Sequence, residues 1–233
     1  MTSMLEPGRR AIEVAVWLGS ATEGGCMQFN SPSFSDGQVI PGDYAFCVPD
    51  EEAHATFGGN RNPGFEWDDL PTATQSLVLI CHDPDVPSQP DDVNQEGREV
   101  PADLPRVDFY HWVLVDLPPE LGCFGKGAFS KGVTPKGKES EGPFGTRSGF
   151  NNYTQWFDGD PEMGGRYHGY DGPCPPWNDS LIHHYVFTLY AVDFERCPVE
   201  GSFSGPDVLA AIEGHVLDRA SISGTYTLNP RLF

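Results

Sequence analysis

Apolar residues gather in a few short, dense runs along the chain. Three stand out: "SLVLICHD" (Ser76–Asp83), "FYHWVLVDLP" (Phe109–Pro118) and "HHYVFTLYAVDF" (His183–Phe194). Each has strand length and is rich in β-branched or aromatic residues, so each predicts a β-strand. In large part both faces of these runs are apolar. That predicts a central sheet covered on both sides, by a second sheet or by helix and loops. "SGPDVLAAIEGHVLDRA" (Ser204–Ala220) has helical spacing instead: Ser204 stands at the N-cap, Pro206 and Asp207 fall in the first turn, and Leu209, Ile212, Val216 and Ala220 form a stripe. "SISGTYTL" (Ser221–Leu228) predicts a closing strand. Near the N-terminus Ile12, Val14, Val16 and Leu18 alternate, while Glu13 interrupts the apolar run. This predicts an edge strand or extension and not an export signal.

The segments between the runs lack periodicity. Ser31–Glu66 is rich in Gly, Pro and Asn, and predicts short strands and turns. Asp83–Asp108 is acidic and Pro-rich, and Gly122–Gly165 is Gly-rich and holds every lysine: Lys126, Lys131, Lys136 and Lys138. That small basic island reads as a solvated loop or a contact surface. Long loops in compact domains are usually functional or inserted. Two of these leave the ends of strands that also carry polar residues, which places a site there. By strand alternation His183 and Tyr185 share a face, His184 points the other way, and Asp83 follows Leu79 and Cys81. The same rule puts His111 with Phe109, Val113 and Val115. A cavity at the end of the sheet is expected to gather Asp83, His111, His183 and Tyr185, with the turn "GPCPP" (Gly172–Pro176) as one wall.

Composition narrows the function. The 233 residues, 38% hydrophobic and 12% aromatic, suit one globular domain, and 27 Gly with 22 Pro favour turns and short strands over a helical bundle. Asp and Glu number 34 against 14 Lys and Arg, for a formal net charge of −20. Such a surface repels nucleic acid and anionic bilayers, so neither a nucleic-acid partner nor stable membrane insertion is expected. Six cysteines are scattered with no CxxC pair, which predicts reduced thiols and a cytoplasmic location.

At this point the residues carry a resemblance. "CHDPDVPS" resembles the Asp-Pro-Asp-x-Pro signature of the phosphatidylethanolamine-binding proteins, also called Raf kinase inhibitor-like proteins. "FYHWVLVDLP" is similar to that family's His-bearing strand, and "GYDGPCPPWNDSLIHHYVFTLYAVD" to its Gly-x-Pro-Pro and His-x-Tyr-Val-Phe segment. The motifs follow in the family's order from about Met27 onward, and the prokaryotic branch is the nearer likeness. The resemblance implies a mainly β, α+β fold: a large central mixed sheet, a smaller sheet packed on it, and few helices, one near the C-terminus. It implies a single domain over residues 27–233, after an extension over 1–26, with loops inserted at about 89–108 and 122–168. It also implies a non-enzymatic pocket for phosphate-type anions or a phosphoethanolamine head group, with Asp83, His111, Gly172, Pro175, His183 and Tyr185 as binding residues and Asp85 in support. No cofactor is expected. A homodimer, and a protein partner that the chain modulates or inhibits, are plausible extensions.

The chemistry can be argued without the resemblance. Phosphate needs donors, and imidazole N–H, phenol O–H and backbone N–H groups supply them. A glycine such as Gly172 allows close backbone approach, while prolines keep a wall rigid. Asp83 is the odd member, because a carboxylate repels phosphate. It either orients a histidine and holds it protonated, or accepts an ammonium group. Taken singly these residues also have ordinary structural readings, Asp83 and Asp85 as turn formers and His111 as a satisfied core histidine. Two other functions use the same residues. Cys174 beside the histidines suggests a Cys–His–Asp hydrolase or transferase, and His82, Asp83, Asp85, His111 and His183 contain suitable metal ligands.

Overall fold

The computed structural model describes residues 26–233; the alternating segment Ile12–Leu18 lies outside them. In chain order the strands are β1 (Gln28–Asn30), β2 (Gln38–Val39), β3 (Cys47–Asp50), β4 (His54–Phe57), β5 (Phe65–Asp68), β6 (Ser76–Pro87), β7 (Arg106–Leu117), β8 (Cys123–Phe124), β9 (Arg147–Ser148), β10 (His183–Val192) and β11 (Val216–Tyr226). Two short helices, α1 (Tyr153–Trp156) and α2 (Gly205–Ala211), precede β10 and β11 respectively. The main sheet has the order β2-β11-β10-β6-β7-β9, antiparallel throughout except for the β11–β2 pair. A three-stranded sheet, β1-β5-β8, and the β3–β4 hairpin complete a mainly β fold with few helices.

The central strands are apolar on both faces because both faces are covered. One face buries Leu77, Leu79, Cys81, Trp112 and Phe187 against Phe29, Phe65 and Phe124 of the smaller sheet. The other buries Val78, Ile80, Val113 and Val115 under Phe203 and the Val208 and Ile212 side chains at α2. Burying each such side chain is worth roughly 1.5–3 kcal/mol, so these two layers hold β6, β7 and β10 in register.

Two expectations are corrected here. The helix expected over Ser204–Ala220 stops at Ala211. It starts as read, with the Asp207 carboxylate accepting from the Ser204 backbone N–H at 2.8 Å and from its hydroxyl at 2.6 Å. Gly214, at φ +81°, then turns the chain into β11, where Ala220 pairs with Leu189 and Val216 with Val192. Sheet pairing has overridden helical spacing, and Val216 lies exposed instead of on a helical stripe. The acidic loop is also shorter than expected, because β6 continues to Pro87 and β7 begins at Arg106.

A third expectation, the face of His111, is corrected as well. Cys81 pairs with Trp112 and His82 with Tyr110, so one residue of β6 advances while β7 advances two. His111 is the extra residue of a β-bulge, which re-aims its side chain. It joins Phe109, and not Val113 and Val115, which pack on the opposite face.

Candidate functional site

A cavity of about 450 Å³ opens at the end of the main sheet where β6 finishes and β10 begins. Its polar floor is Asp83 from β6, His111 from the β7 bulge, and His183 and Tyr185 from β10. All four are at least 97% buried. The walls are mostly apolar: Phe46, Ala55 and Phe57 from the hairpin, Tyr153 and Phe157 from the α1 region, and Pro175, Pro176 and Trp177 from the turn. Trp177 stacks on His54 of the hairpin with ring centres 3.9 Å apart.

The two floor histidines are in opposite protonation states. His183 faces carboxylates with both ring nitrogens: Nδ1 is 2.7 Å from Asp83 Oδ2, and Nε2 is 3.1 Å from Asp179 Oδ2. Each contact requires an N–H donor, so the ring is an imidazolium. Burial alone would lower its pKa, but hydrogen bonds to Asp179 and Asp83 outweigh that and raise it to about 9. Arg106 completes the chain by a two-pronged contact to Asp179 at 2.6 and 3.1 Å. Burial pushes Asp179 up, and the His183 and Arg106 contacts more than reverse it, so its pKa lies below the ordinary value.

His111 is neutral at pH 7. Its Nδ1 lies 2.7 Å from the Asp171 carbonyl oxygen, which accepts only from an N–H, so Nδ1 carries the proton. Burial lowers its pKa to about 4, against the opposing pull of Asp83. Nε2 makes no hydrogen bond among the described residues. Asp171 in turn donates its backbone N–H to the His111 carbonyl at 3.1 Å, so the two residues hold each other. Tyr185 brings a buried hydroxyl that faces the Asp83 carboxylate without closing a well-formed hydrogen bond to it or to any other of the described residues. Burial first, and the nearby Asp83 charge second, raise its pKa well above 10, so it stays a donor.

With this geometry in hand, the chain can be set against known proteins. The family model described as phosphatidylethanolamine-binding protein matches residues 30–227. The chain belongs to the phosphatidylethanolamine-binding protein family. Among its relatives is a UPF0098 protein of Methanothermobacter thermautotrophicus, 32% identical over 200 residues, covering 86% of this chain and 98% of that protein. Another is the UPF0098 protein YbhB of Escherichia coli, 28% identical over 201 residues, covering 86% and 100%. The crystal structure of a phosphatidylethanolamine-binding protein homologue from Chlamydia trachomatis superposes with a TM-score of 0.57 at 27% identity, covering 86% of this chain and 97% of that one. Escherichia coli YbcL shares the fold, with a TM-score of 0.61 at 23% identity, covering 87% and 99%. These relatives place the chain in the prokaryotic part of the family.

Within this family member the other expected residues fall in three places. Pro175 lines the cavity. Asp85 does not; its carboxylate caps the start of β10 from outside, accepting from the His184 backbone N–H and facing His184 Nδ1, both at 2.8 Å. Gly172 lies behind the wall. Its N–H goes to Asn60 at 2.8 Å, and a Cβ there would stand 2.0 Å from the Tyr44 carbonyl oxygen. The glycine is required for backbone packing against Tyr44.

Cys174 is bonded to Cys47 in a disulfide that ties the turn to the hairpin. The thiols were expected reduced, and this pair is not; the sequence separation of 127 residues hid it. A nucleophilic Cys174 is thereby excluded while the bond is intact. The metal reading lacks geometry as well: His82 sits near Tyr110 on the other face, and no group of three metal-ligating side chains converges among the described residues. Sequence reading missed Asp179, which with Asp83 keeps His183 charged, Arg106, which anchors Asp179, and the aromatic walls Phe46, Phe109 and Tyr153. The acidic loop proves to be wall too, through Pro90, Val93 and Asn94. Its Asn94 is pinned to the turn by the Trp177 N–H at 3.0 Å. Lys138 is not part of a solvated loop, although the lysine-bearing segment suggests one from sequence: its Nζ reaches buried Asp171 at 2.6 Å.

Proposed function

We propose that this family member is a non-enzymatic binding protein whose cavity takes a phosphate-type head group on its polar floor and an apolar substituent against its aromatic walls. The observation that carries this reading is the pairing of His111 Nε2, unpartnered among the described residues, with the unpartnered Tyr185 hydroxyl beside Asp83. A singly protonated phosphate ester suits that floor. Its P–O–H donates to Asp83, Tyr185 donates to one of its oxygens, and the anion's charge draws a proton onto His111 Nε2. His183 supplies no free N–H, because both are spent on Asp83 and Asp179. Its positive charge offsets Asp83 and so keeps the floor from repelling the anion. The mostly apolar walls favour a ligand with a hydrophobic body, such as a phospholipid or an aromatic phosphate ester.

Calorimetry with phosphoethanolamine, inorganic phosphate and ethanolamine tests this. Phosphoethanolamine and phosphate should bind, ethanolamine alone should not, and His111→Ala should remove the binding while leaving the thermal transition cooperative. Unchanged affinity in that variant would refute the site assignment.

Family membership is also the support for a homodimer and a modulated protein partner; light scattering on the purified chain tests the first. The disulfide weighs against a reducing cytoplasm as the place of action, since such bonds persist in oxidising compartments. No helix among the described residues is long and apolar enough to cross a membrane.

A further inference from the structure

A second cleft, of about 630 Å³, is separate from the cavity above and shares no lining residue with it. Five of the 14 Lys and Arg residues line it, namely Lys136, Lys138, Arg147, Arg166 and Arg196, against three of the 34 acidic residues. In a chain of net charge −20 the local balance is therefore reversed.

Arg196 lies 3.9 Å from Asp116, and the other four cations fall into two sets. Lys138 and Arg147 are fixed from beneath: Lys138 Nζ lies 2.6 Å from Asp171, and Arg147 lies 2.6 Å from Asp116 and donates to the Val199 and Cys197 carbonyls at 2.6 and 2.8 Å. Lys136 and Arg166 are exposed, and among the described residues neither has a carboxylate within 4.0 Å. Arg166 donates one N–H to the Ser202 hydroxyl at 2.7 Å. Two glycines bring this pair together. A Cβ on Gly137 would lie 1.9 Å from the Arg166 carbonyl oxygen, and one on Gly165 would lie 2.3 Å from that of Lys136. Only without those side chains can the two segments pass backbone to backbone and present both cations to one hollow.

We propose that this cleft is a second binding site, for a phosphate monoester that also carries hydroxyl groups. Arg166 and Lys136 give charge-assisted donors to the phosphate, as their unpaired state favours. The cleft's glutamates, Glu139, Glu141 and Glu200, are acceptors that match ligand hydroxyls. They also repel more highly charged anions, so the site selects a single phosphate on a polyol and disfavours pyrophosphate.

Titration of the nitrogen-15-labelled full chain with glycerol 3-phosphate, followed by NMR, tests this. Saturating shifts are expected at backbone amides of residues 136–141, 166–168 and 200–203. Arg166→Gln should weaken them about tenfold, the worth of one charge-assisted contact. Lys136→Asn should act in the same direction, and asparagine tolerates the left-handed backbone at that position, φ +69°. His111→Gln should leave the cleft shifts unchanged. The proposal is overturned if the shifts appear only around His111, if those at the cleft do not saturate, if neither cleft variant weakens them, or if pyrophosphate binds there as tightly.

Discussion

Asp83 and His183, one hundred residues apart, meet at 2.7 Å on the cavity floor and join the end of β6 to the start of β10. The carboxylate that seemed out of place in an anion pocket therefore has a partner: it holds a buried imidazole in its charged form. Of the two roles considered for Asp83, orienting a protonated histidine has direct geometric support, and the histidine concerned is His183, not His111.

Replacing Asp83 by Asn should leave His183 with Asp179 as its one carboxylate contact. Both side chains are almost fully buried, so the expected loss of stability is about 3 kcal/mol, read from the urea midpoint. A variant as stable as the parent would show that the pair carries no weight.

The two histidines predict an optimum in the pH–stability curve. His111 has a folded pKa of about 4, below its ordinary value. Between pH 4 and about 6.5 the unfolded chain binds the extra proton, so stability rises with pH. His183 has a folded pKa of about 9, above its ordinary value. Its contribution is full below about pH 6.5 and is lost as pH rises toward 9. Each slope approaches about 1.4 kcal/mol per pH unit. Denaturation series should give a maximum near pH 6.5 in the parent, no acid limb from this source in His111→Gln, and no alkaline limb in His183→Gln. A maximum unmoved by either substitution contradicts the assigned protonation states.

The Cys47–Cys174 bond closes a long loop, with 127 residues of separation. Reduction, or Cys174→Ser, should cost about 2–5 kcal/mol and loosen the hairpin wall of the cavity. Thiol titration of the unfolded, non-reduced chain should find four free thiols, corresponding to Cys26, Cys81, Cys123 and Cys197. Six would contradict the bond.

Gly172→Ala should destabilise by about 3 kcal/mol, through the clash with the Tyr44 carbonyl and strain on the Asn60 contact. If the variant matches the parent in stability and loses only ligand affinity, Gly172 belongs to the ligand's contacts and not to the wall's packing.

The strands and the floor of the cavity were legible because alternation along β6 and β10 is unbroken: Leu79, Cys81 and Asp83 share one face, as do His183 and Tyr185. The orientation of His111 was not legible, because a bulge is a pairing event between two strands and leaves no mark in either one alone. Asp179 and Arg106 escaped for a similar reason. Asp179 reaches His183 from the turn before β10, and Arg106 reaches Asp179 from the first position of β7, while an aspartate in "WNDS" or an arginine after a proline looks like ordinary surface. The end of the α2 helix was written in Gly214, but the helical spacing beyond it outweighed that single residue. The disulfide joined two cysteines whose neighbours give no hint of each other.

The central claim is that His111 takes up a proton when a phosphate-type head group binds. Phosphoethanolamine affinity measured by calorimetry between pH 8 and 5.5, in the parent and in His111→Gln, tests it most directly. The account predicts tightening as pH falls in the parent, and in the variant binding at least about tenfold weaker with a shallower pH dependence, set by the phosphate alone. Equal affinities and identical pH profiles in the two proteins would contradict it.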